Sequence, residues 1–172
     1  QLLQQCEQRG GLVSHRRLAD GLEVPYEINI SWWSAMAAPG RDPSHHQRAR
    51  FLLTQLLLLA LPGVPAFYLP ALLATPNDNA RFRISGHRRD LNRPQFQLDR
   101  LERLLADSES DTSQVVVSLQ QAMAVRRRQA ALDPFAPMTV LSEGRSDLVI
   151  LQRGEGASTL FAVHNFSDVR LS

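Results

Sequence analysis

Residues 50–70 read Arg-Phe-Leu-Leu-Thr-Gln-Leu-Leu-Leu-Leu-Ala-Leu-Pro-Gly-Val-Pro-Ala-Phe-Tyr-Leu-Pro. An apolar helix runs up to Pro62-Gly63. That pair stops it, because proline has no amide to donate and glycine favours the left-handed turn that closes helices. The apolar run 64–69 that follows predicts a strand buried on both faces, as in a parallel sheet. This is the join between a helix and the next strand of an α/β barrel. Such a join needs earlier strand–helix units, and the residues ahead of it are too few to hold them. The chain therefore reads as the C-terminal piece of a larger barrel.

Working outward, residues 1–9 predict the tail of a helix closed by Gly10-Gly11. Residues 11–25 read as a loop with an Asp20-Gly21 turn. Residues 26–36 begin extended and coil into a helical turn near Trp32. After a second loop at 39–44, Ser44 is placed to cap a helix over 45–61. Apolar residues occupy most faces of that helix after Phe51, so it needs cover on nearly all sides. Residues 70–94 form a long polar loop after the candidate barrel strand, at the end where barrel active sites are built. Residues 97–106 and 112–131 predict two further helices. The second has Val115, Leu119, Ala122, Met123 and Arg126 at core spacing, and the triplet Arg126-Arg127-Arg128 as a solvated end complementing its own dipole. Beyond Asp133-Pro134 the period changes to two, and 138–141, 148–153 and 159–166 predict three antiparallel strands. The expected division is 1–133 for the barrel part and 134–172 for a small antiparallel β-domain.

The composition is that of a globular chain: 172 residues, 44% hydrophobic, 21% charged, net charge +2. The run 51–61 is too short to cross a bilayer, and the first residues show no charged n-region followed by an apolar h-region, so a signal peptide is not expected among them. The one cysteine, Cys6, allows no disulfide within the chain, which fits the cytoplasm, and it reads as an inert thiol. All nineteen basic residues are arginine. They are scattered among acids rather than gathered in the stripe a nucleic-acid binder needs. The first 93 residues are mildly basic, which suits a small anionic substrate better than a polymer. Among chemical motifs, no pair of carboxylates stands out as acid and nucleophile, and no spacing suggests a metal. His45 and His46 are adjacent, about 100° apart on a helix, and do not chelate together. There is no glycine-rich phosphate loop.

Three blocks in order carry a resemblance: Pro-Tyr-Glu-Ile-Asn-Ile at 25–30, the stretch 50–69, and Arg-Asp-Leu-Asn-Arg at 89–93. From about Arg9 onward the chain resembles the sucrose phosphorylase subfamily of the α-amylase glycoside hydrolase superfamily, most closely the members acting on glucosylglycerate. The resemblance implies a (β/α)₈ barrel followed by an antiparallel domain, with 64–69 as the eighth strand. It implies a retaining transfer of glucose from an α-glucoside to inorganic phosphate, with no other cofactor. The nucleophilic Asp, the acid/base Glu and the stabilising Asp would all precede residue 1. On that map this chain supplies no catalytic residue and is inactive alone.

What the resemblance does place here is binding apparatus. Arg93 matches the arginine that reaches the donor-site glucose, with Asp90 and Asn92 supporting its loop. The bland alternative for Arg93 is an ion pair with Asp90. Residues 13–27 match a mobile loop that shapes the acceptor and phosphate site. There His15, Arg16 and Arg17 would face an anionic acceptor, the loop would end at Tyr26-Glu27, and Tyr26 would either stack on the sugar or fill the base of the loop. Trp32 and Trp33 read as core rather than as a sugar platform. The implied partners are a sugar, phosphate and the rest of the barrel, with a homodimer possible and neither nucleic acid nor membrane. A sucrose or sucrose 6'-phosphate phosphorylase or a related α-glucosidase is the alternative within the fold. A non-catalytic interaction domain is the alternative outside it.

Overall fold

The computed structural model describes residues 1–38, 44–167 and 169, with only the backbone of Ser44 and His45. The expected loop at 39–44 and the capping role of Ser44 lie outside the described residues. The chain folds into two compact units. The first takes residues 1–48 and 68–115, and the second residues 49–67 and 116–172.

In the first unit, helix α1 (Leu2–Gln8) ends at Gly10, whose φ of 75° is the left-handed value expected of a helix stop. Gly11 follows because there is no room for more: a Cβ there would lie 2.3 Å from the Cys6 sulfur. The thiol is buried, and burial pushes its pKa up, which keeps it protonated and inert. Residues 11–25 are not a loop. They form most of a β-hairpin, β1 (Leu12–Arg17) paired antiparallel with β2 (Glu23–Asn29). Helix α2 (Trp32–Ala35) is capped by Ser31, whose side chain accepts from the Ser34 amide at 3.1 Å. Trp33 is buried and Trp32 is half exposed.

The expected loop at 70–94 is also structured. It holds α4 (Leu69–Leu72), α5 (Asn79–Ser85) and a 3₁₀ turn (Arg88–Asn92). Asp78 caps α5 through the Arg81 amide at 2.9 Å, and its own amide donates to the Leu91 carbonyl at 2.8 Å. Helix α6 (Leu98–Ala106) follows as predicted. Thr112 and Val115 bring the start of α7 (Asp111–Arg128) into this unit, where the Thr112 hydroxyl donates to the Leu73 carbonyl at 3.0 Å.

The second unit holds most of helix α3 (Ser44–Ala60), the rest of α7 and a three-stranded antiparallel sheet. The strands β3 (Met138–Val140), β4 (Leu148–Arg153) and β5 (Leu160–Asn165) lie in the order β3-β4-β5, as the period-two pattern predicted. Phe51, Leu119 and Leu151 are buried within it. Gly154 is required after β4, since its φ is 72° and a Cβ would meet the Ser158 carbonyl at 2.4 Å.

Two expectations fail in this unit. Residues 64–68 carry no strand ladder, and Val64 is 84% exposed. A parallel strand draws its hydrogen bonds only from neighbouring strands, and no described strand lies beside this one. Arg126 is not a solvated helix end either. Its guanidinium donates to the carbonyls of Leu59, Leu61 and Gly63. It complements the negative end of α3 rather than of its own helix.

Candidate functional site

The hairpin is where the first set of expected binding residues falls. Its register pairs Leu12 with Asn29, Val13 with Ile28 and Ser14 with Glu27, then shifts so that His15 faces Pro25 and Arg16 faces Val24. Proline has no amide to donate, so the ladder slips where Pro25 enters it. The root of the hairpin is fixed by amide side chains. Asn29 is buried and donates to the Ser14 hydroxyl at 3.2 Å. Asn77 donates to the Gly10 carbonyl at 3.0 Å and accepts from the Ser31 amide at 2.8 Å, so one side chain holds both ends. Its own amide donates to the Ser34 hydroxyl at 3.0 Å.

Beyond the slip the hairpin is open. His15, Arg16, Arg17 and Tyr26 are all exposed. The Arg16 guanidinium lies 5.4 Å from the centre of the Tyr26 ring, so the aromatic face orients a cation rather than offering a free stacking platform. Arg17 donates to the Gly21 carbonyl at 3.3 Å across the turn. Glu27 is half buried and its carboxylate accepts from Arg89 at 3.1 and 3.2 Å.

The 3₁₀ turn carries the second set. Leu91 anchors it, at 1% exposure. Asp90 is paired with Arg81 at 3.3 Å, not with Arg93. A hydrogen bond from Ser85 and the charge of Arg81 hold the Asp90 carboxyl below the usual range, so it stays ionised as a loop support. Arg93 ends the turn, exposed, and no hydrogen bond or ion pair engages it among the described residues. The ion-pair alternative for Arg93 therefore fails. Beside it, the Asn92 side-chain oxygen is buried with no donor among the described residues. Arg93 thus presents a guanidinium fork that is available for a sugar hydroxyl pair or a carboxylate.

The sequence reading missed what joins the two sets. Arg88 donates to the Val13 carbonyl and Arg89 to Glu27, so the turn bearing Arg93 is tied to the hairpin. The only signal was the density of arginine at 88–93, which names no partner. A cleft of about 230 Å³ lies nearby in the same unit, lined by Leu73, Asn77, Phe96, Arg100 and their neighbours. None of the expected binding residues lines it. Among the described residues no cluster of His, Cys, Asp and Glu is placed to hold a metal, and no helix is long and apolar enough to cross a membrane.

No protein-family model matches the chain. A glucosylglycerate phosphorylase of Allomeiothermus silvanus is 33% identical over 168 residues, 97% of this chain and 30% of the relative. Glucosylglycerate phosphorylases of Escherichia coli and Spirochaeta thermophila are 30% and 31% identical, over 97% and 91% of this chain. The chain thus spans about 30% of the length of the first relatives it matches. The crystal structure of sucrose 6F-phosphate phosphorylase from Thermoanaerobacter thermosaccharolyticum superposes with a TM-score of 0.74 at 20% identity. It covers 96% of this chain and 31% of that one, and so shares the fold.

Proposed function

We propose, for a chain that belongs by sequence with the glucosylglycerate phosphorylases of the sucrose phosphorylase-like family, that it supplies the substrate-binding part of such an enzyme. The enzyme moves glucose from a glucosylglycerate-like α-glucoside to phosphate and releases glucose 1-phosphate, with the anomeric configuration retained. The observation that carries this reading is similarity along nearly the whole chain together with an exposed, unengaged Arg93 on an anchored turn. Arg93 binds the glucose of the donor. Asp90 and Asn92 hold its turn. His15, Arg16 and Arg17 face the acceptor carboxylate or phosphate, each charge-assisted hydrogen bond contributing about 1.5–3 kcal/mol.

The proposal includes a barrel part over 1–133 and a β-domain over 134–172, action in the cytoplasm, and a sugar and phosphate as the small-molecule partners. The 172 residues carry no acid–nucleophile pair, so expressed by themselves they are expected to be inert. Two arginines and a histidine on one hairpin suit a sugar phosphate as well as a carboxylate. That observation keeps sucrose 6'-phosphate as the second substrate to try.

The test is phosphorolysis by the protein that carries this chain, comparing glucosylglycerate, sucrose and sucrose 6'-phosphate. Glucosylglycerate should give the highest kcat/KM. Arg93→Lys should lower it about 10- to 100-fold, because a single ammonium does not reproduce a bidentate fork. Phosphorolysis of none of the three, or an Arg93→Lys enzyme within a few-fold of the parent, would overturn the assignment.

A further inference from the structure

We propose that Arg89, with Arg88 beside it, is a positioning residue that latches the hairpin to the 3₁₀ turn and so fixes the spacing between the acceptor cations and Arg93. The consequence for catalysis rests on the function proposed above; the latch itself rests on geometry alone. A two-stranded hairpin is marginal in water unless something braces it. This one is braced at its root by Asn77 and Asn29. Its ladder then slips at Ser14/His15, and the outer half of β1 is exposed. Arg88 and Arg89 meet it at that slip. Arg88 bonds the Val13 carbonyl, one residue before Ser14. Arg89 bonds Glu27, the residue that pairs with Ser14. The brace therefore sits immediately before His15, Arg16 and Arg17, where the hairpin would otherwise bend.

The pair also has an electrostatic role. Glu27 is the one carboxylate near the middle of β2, and a bare charge there would repel an anionic acceptor and compete for Arg16 or Arg17. Arg89 neutralises it. Glu27 thus holds the hairpin and does not contact substrate. The two side chains are 54% and 33% exposed, which limits the effect to about two- to fivefold.

Two variants of the protein that carries this chain test the latch: Arg89→Gln, and the exchange of charges Glu27→Arg with Arg89→Glu. Two readouts are used, hydrogen exchange of the hairpin amides and the KM for glycerate in the reverse reaction. Arg89→Gln should speed exchange across residues 15–24 and raise that KM about two- to fivefold, more than it lowers kcat. The exchanged pair should restore slow exchange. Exchange and KM at parental values in Arg89→Gln, or an exchanged pair that behaves like the single variant, would overturn the latch. A parent without phosphorylase activity, but with exchange that follows this pattern, would sink the proposed function and leave the latch standing.

Discussion

The two units use the same residue in opposite ways. In the β-containing unit Arg153 is fully buried, and its guanidinium donates to the backbone carbonyls of Ala60, Asp133 and Ala136. Arg126, half buried, serves three more carbonyls at and just beyond the end of α3. In the hairpin unit Arg16, Arg17, Arg89 and Arg93 are exposed, and their partners are an aromatic face, a turn carbonyl, a carboxylate and, for Arg93, nothing among the described residues. The difference lies in what the backbone offers. A helix end leaves four carbonyls without intrahelical partners, and where it is buried a side chain must satisfy them. A hairpin pairs most of its own backbone, with Arg88 taking the Val13 carbonyl, and the exposed arginines beyond the slip remain available for ligands. In a chain without lysine, an arginine count says nothing about binding until the carbonyls are accounted for.

The largest expected effect breaks the comparison on its structural side. Arg153→Met keeps length and apolar stem but removes the donor of the buried Ala60 carbonyl and the guanidinium bonds to the part-buried carbonyls of Asp133 and Ala136. Losing these charge-assisted bonds should cost about 3–5 kcal/mol, read as a fall in the denaturant midpoint at constant slope. A loss below about 1 kcal/mol would mean that water reaches those carbonyls and that Arg153 is no more structural than the arginines of the hairpin.

A smaller effect is expected at the root of the hairpin. Asn77→Ala removes the link between Gly10 and Ser31 and should cost about 1–3 kcal/mol. It should also speed amide exchange in β1 and β2. A stability loss without faster exchange there would show that Asn77 supports α5 and not the hairpin.

The sequence was legible where one period dominated. The three strands after Asp133-Pro134 and the helices at α1, α3, α6 and α7 announce themselves by alternation or by apolar spacing. The hairpin did not, because Leu-Val-Ser-His-Arg-Arg has no alternation and Pro25 sits where a strand should donate. The strand expected at 64–69 has the right composition, but composition does not supply neighbours. Arg93 was reached by resemblance and the structure leaves it exposed. Arg88 and Arg89 were illegible, because contacts across 75 and 62 residues leave no local trace. The jobs of Arg126 and Arg153 were equally hidden, since they depend on where another helix ends.

The smallest effect separates the two units by acid sensitivity. His164 on β5 is buried, and its Nε2 has no hydrogen-bond partner among the described residues. Burial pushes its pKa below the ordinary value, so the unfolded chain takes up a proton before the folded one does. Stability is then fully present above about pH 6.5 and is lost as the pH falls from there toward the folded pKa. Asp90 in the hairpin unit is also lowered, chiefly by the Ser85 hydrogen bond and then by Arg81. A carboxylate lowered in the fold contributes stability that is present above about pH 4 and lost only below it. The β-containing unit should therefore loosen first on acidification. Amide exchange measured between about pH 7.5 and 5.5 should accelerate in β4 and β5 while the hairpin amides, after correction for intrinsic rates, stay protected. His164→Gln should flatten that response. If β4 and β5 hold their protection across the range in the parent, the imidazole is charged or hydrated in the fold, and the contrast between a dry β unit and an open hairpin unit fails at this residue.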